Sequence, residues 1–237
     1  MTPRKPRQSP APPPLAPLPS SQPNTMLAQF LAARRVSTPI IAITTPDPAA
    51  AIETISGALN GSAPKFCWDV SQGLMGMSQE AAACVEELIG IDTNRQAATQ
   101  EPHDTLALAR RLPPNSVLFF CNAHRFLDPS KSGSELVMQA IWNLRDLFKS
   151  DRRTLVLLAP DLELPVELQH DVRIIDEPLP SDTQIQAIIA EQFSAAQQNV
   201  PELQSPDEPT LHAAIDALRG VAAFPAEQIT AENLTPT

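Results

Sequence analysis

RTLVLLAPDLELPVELQHDVRIIDEPLPSDTQIQAIIAEQF, running from Arg153 to Phe193, is the stretch that decides the fold. Thr154–Leu158 is an uninterrupted apolar run, the pattern of a strand buried on both faces. Pro160 and Pro165 break it, and Val172–Ile175 forms a second strand. After the Glu177-Pro-Leu-Pro180 step, Ser181-Asp182-Thr183-Gln184 is a capping-box sequence. It opens a helix that buries Ile185, Ile188, Ile189 and Phe193. Buried strand, break, buried strand and amphipathic helix is the order of a parallel sheet with helical cover.

The same alternation extends toward the N-terminus. Val117–Cys121 is a third continuous apolar run, and Ser132-Gly133-Ser134-Glu135 offers a capping box for a long helix. The stripe of that helix is Leu136, Val137, Ala140, Ile141, Leu144, Leu147 and Phe148. Asp104–Leu112 reads as a short helix ended by Pro113-Pro114, and Ser78–Ile89 as a helix closed by Gly90. A polar loop is expected from there to Pro102, and an irregular Gly/Met segment before Ser78. Phe66–Val70 and Ile40–Thr44 are the two remaining strands. Between them, Asp47 caps a helix with Pro48 in its first turn, an inner stripe of Ile52, Ile55 and Leu59, and Gly61 as its stop. Met26–Arg35 leads into the core as a short amphipathic helix, and Asp207–Leu218 is a further helix stopped by Gly220. The expectation is an α/β fold: a doubly wound parallel five-stranded sheet in a three-layer sandwich, with a small C-terminal helical appendage.

Composition narrows the function classes. Residues 1–24 hold nine prolines, which favour extended polyproline II and preclude helix or ladder. Residues 1–26 are therefore expected to be a disordered, proline-rich basic tail. The first 35 residues carry five basic side chains and no acid, whereas the other 202 carry a net charge of −15. An acidic body repels DNA and anionic lipid, so no nucleic-acid partner is expected. With aromatics at 4% and no Tyr, a base-stacking surface is also lacking. Cys67, Cys84 and Cys121 are odd in number and without metal spacing, which points to a reducing, cytoplasmic setting. No apolar run approaches membrane-spanning length.

Chemistry should lie beyond the carboxyl ends of the strands. A phosphate-binding loop there needs G-x-x-x-x-G-K-[ST], because backbone N–H groups must surround the phosphates. The turn after the first strand is instead Thr44-Thr45-Pro46-Asp47-Pro48, with no Gly, no Lys, two prolines and an acid. The third strand ends Phe120-Cys121-Asn122, without the carboxylates that position Mg²⁺ and the attacking water. The fourth ends Leu158-Ala159-Pro160, without a polar sensor. Lys131-Ser132, a Lys-Ser pair ahead of a helix, has Arg125 and Ser130 where glycines are required. Cys121, His124 and Asp128 form a nucleophile, base and orienter list, but residues so close along one loop seldom converge on one atom. His103, His170 and His212 are too scattered for a metal site. Residues 160–178 are strongly acidic, while Arg110-Arg111 and Arg152-Arg153 read as basic pairs flanking the sheet.

With the strands placed, the chain resembles the AAA+ superfamily. The block at 153–193 is similar to its sensor-strand, arginine-loop and lid-entry region. Together with Phe66–Leu74, Val117–Asp128 and the T-x-D after the first strand, it resembles the degenerate N-terminal half of the tandem ATPases named after a hypothetical chloroplast reading frame. The resemblance covers about residues 27–230, and implies a 27–180 AAA+-like core with a partial helical lid over 181–237. In that family an intact P-loop domain follows the degenerate one. It implies no catalytic and no metal-binding residue here, only vestigial nucleotide-site positions at Thr44, Thr45, Asp47, Cys121 and Asn122. No cofactor is supported by the motifs; ATP and Mg²⁺ would enter only with a completed site. Three roles stay open. The leading one is a non-hydrolysing AAA+-like module that packs on or regulates an active ATPase or larger assembly. The others are an ATP-binding subunit completed by a partner chain, and a structural component of a phage or secretion-type particle. All three imply protein partners, with an active AAA+ ATPase or further copies of this chain as candidates, and no membrane.

Overall fold

The computed structural model describes residues 25–234 apart from 60, 62, 91–93 and 202. The proline-rich tail, residues 1–24, lies outside the described residues, and α1 (Thr25–Arg35) already packs Met26 and Phe30 into the core. β1 (Ile40–Thr44) follows, then α2 (Pro48–Ala58), whose N-terminus is capped by Asp47 with Pro48 in the first turn. α2 ends at Ala58 with Leu59 as its cap, short of the expected Gly61. β2 (Lys65–Asp69) turns into β3 (Gly73–Gly76), and Ser78 caps α3 (Gln79–Ile89), which Gly90 closes at φ 92°. The expected polar loop contains α4 (Arg95–Thr99), followed by α5 (Pro102–Ala109) and β4 (Val117–Cys121). One helical turn, α6 (His124–Leu127), precedes α7 (Ser134–Ser150). The N-cap of α7 is Gly133 at φ 86°, with no side-chain cap bond, so the expected serine capping box is not formed.

β5 (Thr154–Ala159) and β6 (Arg173–Asp176) complete the sheet, and α8 (Asp182–Asn199), α9 (Glu208–Leu218) and α10 (Ala223–Asn233) complete the described chain. At the start of α8 the Gln184 side-chain oxygen accepts the Ser181 N–H at 2.9 Å, as the capping-box sequence requires. Ile185, Ile189, Ile215, Leu218 and Ala226 of these last helices form a small cluster of their own.

The sheet has six strands in the order β3-β2-β4-β5-β1-β6. The five expected strands are all present and mutually parallel, with Ile41 opposite Val156 and Phe119 opposite Val156 on the other side. The sixth, β3, was expected to be irregular and runs antiparallel to β2 at the edge. Alternation along the strands sorts the core into two layers. Ala42, Phe66, Trp68, Phe120, Leu155 and Leu157 face α3, α5 and α7. Ile41, Ile43, Phe119, Val156 and Leu158 face α1 and α2 on the other side. Each large side chain so buried contributes about 1.5–3 kcal/mol, which holds the carboxyl ends of β1, β4 and β5 in register at one edge.

Candidate functional site

At that edge the turn after β1 spends its two backbone N–H groups, those of Thr45 and Asp47, within the fold. Thr45 is buried; its N–H donates to Ala159 O at 2.8 Å and its Oγ1 accepts the Asp47 N–H at 2.9 Å. The Asp47 carboxylate accepts the Ala50 N–H at 3.0 Å, closing the N-terminus of α2 from within. Pro46 and Pro48 have no N–H to give. Thr44 O accepts the Glu177 N–H at 2.9 Å, which ties the turn to the end of β6. A helix N-terminus favours an anion by at most about 2 kcal/mol. A second anion within about 4 Å of the Asp47 carboxylate would be repelled by something on the order of 4 kcal/mol at a partly screened surface. Repulsion wins at this turn.

The end of β4 offers no carboxylate. Asn122 is exposed in the left-handed region at φ 56°, and its carbonyl accepts the Arg125 N–H at 2.9 Å. The Ala123 N–H donates to Leu158 O at 3.0 Å, so this turn is also tied to β5. Cys121 lies with its Sγ 3.8 Å from that of Cys67, brought there by the parallel pairing of β2 and β4. Their mutual hydrogen bond, with burial, pushes the Cys67 thiol well up; the same bond pulls Cys121 below the usual thiol value despite burial and Asp69. Both cysteines, and Cys84, are free thiols. Cys121, His124 and Asp128 do not assemble: His124 Nδ1 is buried without a partner among the described residues, and Asp128 Oδ1 instead accepts the Ser130 N–H at 2.9 Å. Burial, then the neighbouring Arg125, lowers the His124 pKa and keeps the ring neutral near pH 7, against the opposing pull of Asp161.

The connections at this edge carry Asp47, Asp69, Asp161, Glu163, Asp176 and Glu177. Asp69 accepts from Ser71 and Gln72 in its own turn. Of the acidic 160–178 region, Asp171 is paired with Arg145 at 3.0 Å, whereas Asp161, Glu163, Glu167 and Asp176 are exposed. Among the described residues no three His, Cys, Asp or Glu side chains converge as a metal site. The five sequence-derived positions thus lie on one edge, Thr44, Thr45 and Asp47 on one side of β5 and Cys121 and Asn122 on the other. Asp47, with the acids of the neighbouring connections, makes that edge acidic.

Three features here were not legible in advance. Cys67 depends on strand register, and Arg153 was read as part of a surface pair yet is 2% exposed. Arg34 reaches residues 81 to 120 positions away. No helix among the described residues is long and apolar enough to cross a membrane.

A family model described as the N-terminal domain of SpoVK-like AAA ATPases matches residues 24–177. No curated protein matches the chain. Among solved structures, the FIGL-1 AAA domain in complex with ADP superposes with a TM-score of 0.50 at 14% identity, over 83% of this chain. A structure described as the basis for katanin self-assembly gives a TM-score of 0.47 at 14% identity over 81%. The chain spans 60% of the FIGL-1 chain and 56% of the katanin chain. At such identity the FIGL-1 likeness is one of fold. The family match takes in all six strands and the helices between them, and the chain belongs to the SpoVK-like AAA ATPase N-terminal domains.

Proposed function

We propose that this chain is a non-hydrolysing AAA+-like module that packs on, or regulates, an active ATPase. One observation carries the reading: the N–H groups of Thr45 and Asp47 are spent on Ala159 O and Thr45 Oγ1, and the Asp47 carboxylate takes the Ala50 N–H at the start of α2. The ends of β4 and β5 support it, with Cys121, Asn122, Ala159 and Pro160 in place of carboxylates and a sensor. The family's description, as the N-terminal domain of AAA ATPases, supports an ATPase domain as the neighbour. The resemblance to the first half of the chloroplast-frame tandem ATPases is the finer form of this proposal. In it the proline-rich residues 1–24 are a tether and α8–α10 a partial lid.

Phosphate release from ATP with Mg²⁺ tests the reading. The purified chain is expected to give no turnover above the uncatalysed background, and Thr45→Ala and Asn122→Ala to change nothing. Turnover that either substitution abolishes would mean that a partner-independent ATPase site exists at this edge.

A further inference from the structure

Three arginines gather at the other end of the strands. Arg34 and Arg35, in the last turn of α1, and Arg152, in the loop before β5, line a cavity of about 390 Å³ with Leu31, Leu59 and Asn115. Arg34 is held firmly. Its guanidinium donates to Asn115 O at 2.7 Å, Asn115 Oδ1 at 2.9 Å and Thr154 Oγ1 at 3.0 Å, all uncharged acceptors. Arg35 and Arg152 are exposed. Among the described residues none of the three has a carboxylate at ion-pair distance, whereas Arg153 has one and Arg145 and Arg219 have two each. Asp151, next in the chain to Arg152, is the partner of Arg153.

The wall of the cavity is a built structure. The Asn115 N–H donates to Asp151 O at 2.9 Å, joining the loop before β4 to the loop before β5. Asn115 and Arg152 both sit in the left-handed region, at φ 62° and 59°, a conformation that surrounding structure must enforce on non-glycine residues. Burial, and then the charge of Arg152, lowers the Arg34 pKa, as expected for like charges held together.

Helix ends do not neutralise this cluster. α1 and α2 both end beside the cavity, at Arg35 and Ala58. Each C-terminus presents about half a negative charge, so together they offset roughly one of the three. A phosphate ester carries about −1.5 to −2 at neutral pH, close to what remains. Arginine forks match its oxygens, and Leu31 and Leu59 offer apolar contact to an organic group.

We propose that this cavity binds a small organic phosphate. Arg35 and Arg152 supply the donors, and Arg34, whose own donors are largely taken, supplies fixed charge. The site lies at the opposite end of β1 from Thr44, about 16 Å along a five-residue strand. It is independent of the non-hydrolysing reading and needs no Mg²⁺.

Calorimetric titration of the full chain with inorganic pyrophosphate, without Mg²⁺ and at low salt, tests the proposal. One-to-one saturable binding is expected, weakened more than tenfold by R35Q/R152Q. Neither residue makes a side-chain hydrogen bond among the described residues, so the melting temperature of that variant should stay near wild type. R110Q/R111Q, a basic pair outside the cavity, should bind as wild type. Glycerol 3-phosphate and phosphatidic acid vesicles, run in parallel, separate a soluble ester from a lipid headgroup; either one lost with R35Q/R152Q supports the site. No saturable binding of any of the three, or binding undiminished in R35Q/R152Q, overturns it.

Discussion

Trp68→Ala is expected to cost about 3–5 kcal/mol of folding free energy, the range for truncating a buried large aromatic. Trp68 is fully buried and stacks on Phe120 with ring centroids 4.3 Å apart and planes at 15°. Phe126 meets the same ring edge-on at 5.2 Å. Its indole N–H donates to Thr99 O at 2.7 Å, which links β2 to the end of α4. That carbonyl also accepts from Thr105 Oγ1 at 2.7 Å, so it keeps one donor when the indole is gone. Trp68→Phe should therefore be far milder: it retains most of the apolar volume and loses one hydrogen bond, worth about 1 kcal/mol. Urea unfolding gives both values. A Trp68→Ala cost below about 1 kcal/mol would mean that β2 does not pack against β4 and α6 as described.

Arg153→Ala should be comparably damaging, through charge and hydrogen bonding. Arg153 NH1 donates to Ala109 O, Arg110 O and Leu112 O at 3.3, 3.0 and 2.9 Å, closing the carbonyls at the end of α5. Its other terminal nitrogen pairs with Asp151, and its guanidinium carbon lies 4.9 Å from the centre of the Phe148 ring. Removing the buried guanidinium costs about 3 kcal/mol or more, because the carbonyls left short of a donor cost about 1–3 kcal/mol each, whereas Asp151, partly exposed, is rehydrated. Lysine recovers only part of this, since a single ammonium cannot span three carbonyls and a carboxylate. The exposed Arg219–Asp182 pair, at 2.7 Å, is the contrast: solvent screens it, and Arg219→Ala should cost far less than Arg153→Ala. Equal costs for Arg153→Ala and Arg219→Ala by chemical denaturation would contradict the burial of Arg153.

β1, β4 and β5 were legible because each is an apolar run buried along its length, whereas β2 and β6 carry charged residues at their ends and β6 is largely exposed, with only Ile175 buried. β3 was hidden for a specific reason. Gly73-Leu74-Met75-Gly76 has no β-branched residue and two glycines, so it reads as loop. The glycines answer to packing: a Cβ at Gly76 would lie 2.1 Å from Ala82 N, and one at Gly73, where φ is 70°, 2.3 Å from Thr99 Oγ1. Close approach of α3 and α4 selects them, and tertiary contact makes the segment a strand. The turn at 44–48 was legible because two prolines and an aspartate state their chemistry locally. Arg153 was not, because its neighbour Arg152 takes a left-handed turn that sends the next side chain inward. Nothing in a run of two arginines signals that.

The central claim, that the carboxyl edge cannot hold Mg²⁺–ATP, is tested most directly by thermal unfolding of the chain against millimolar ATP with and without Mg²⁺. The R35Q/R152Q variant belongs in the same experiment, so that phosphate binding at the opposite edge is not mistaken for a nucleotide site. A ligand at 100 times its dissociation constant stabilises a fold by about 2.7 kcal/mol, which is readily seen as a shift in melting temperature. The account predicts no Mg²⁺-dependent shift in either protein. A Mg²⁺-dependent shift retained in R35Q/R152Q and lost in Asn122→Ala would contradict it.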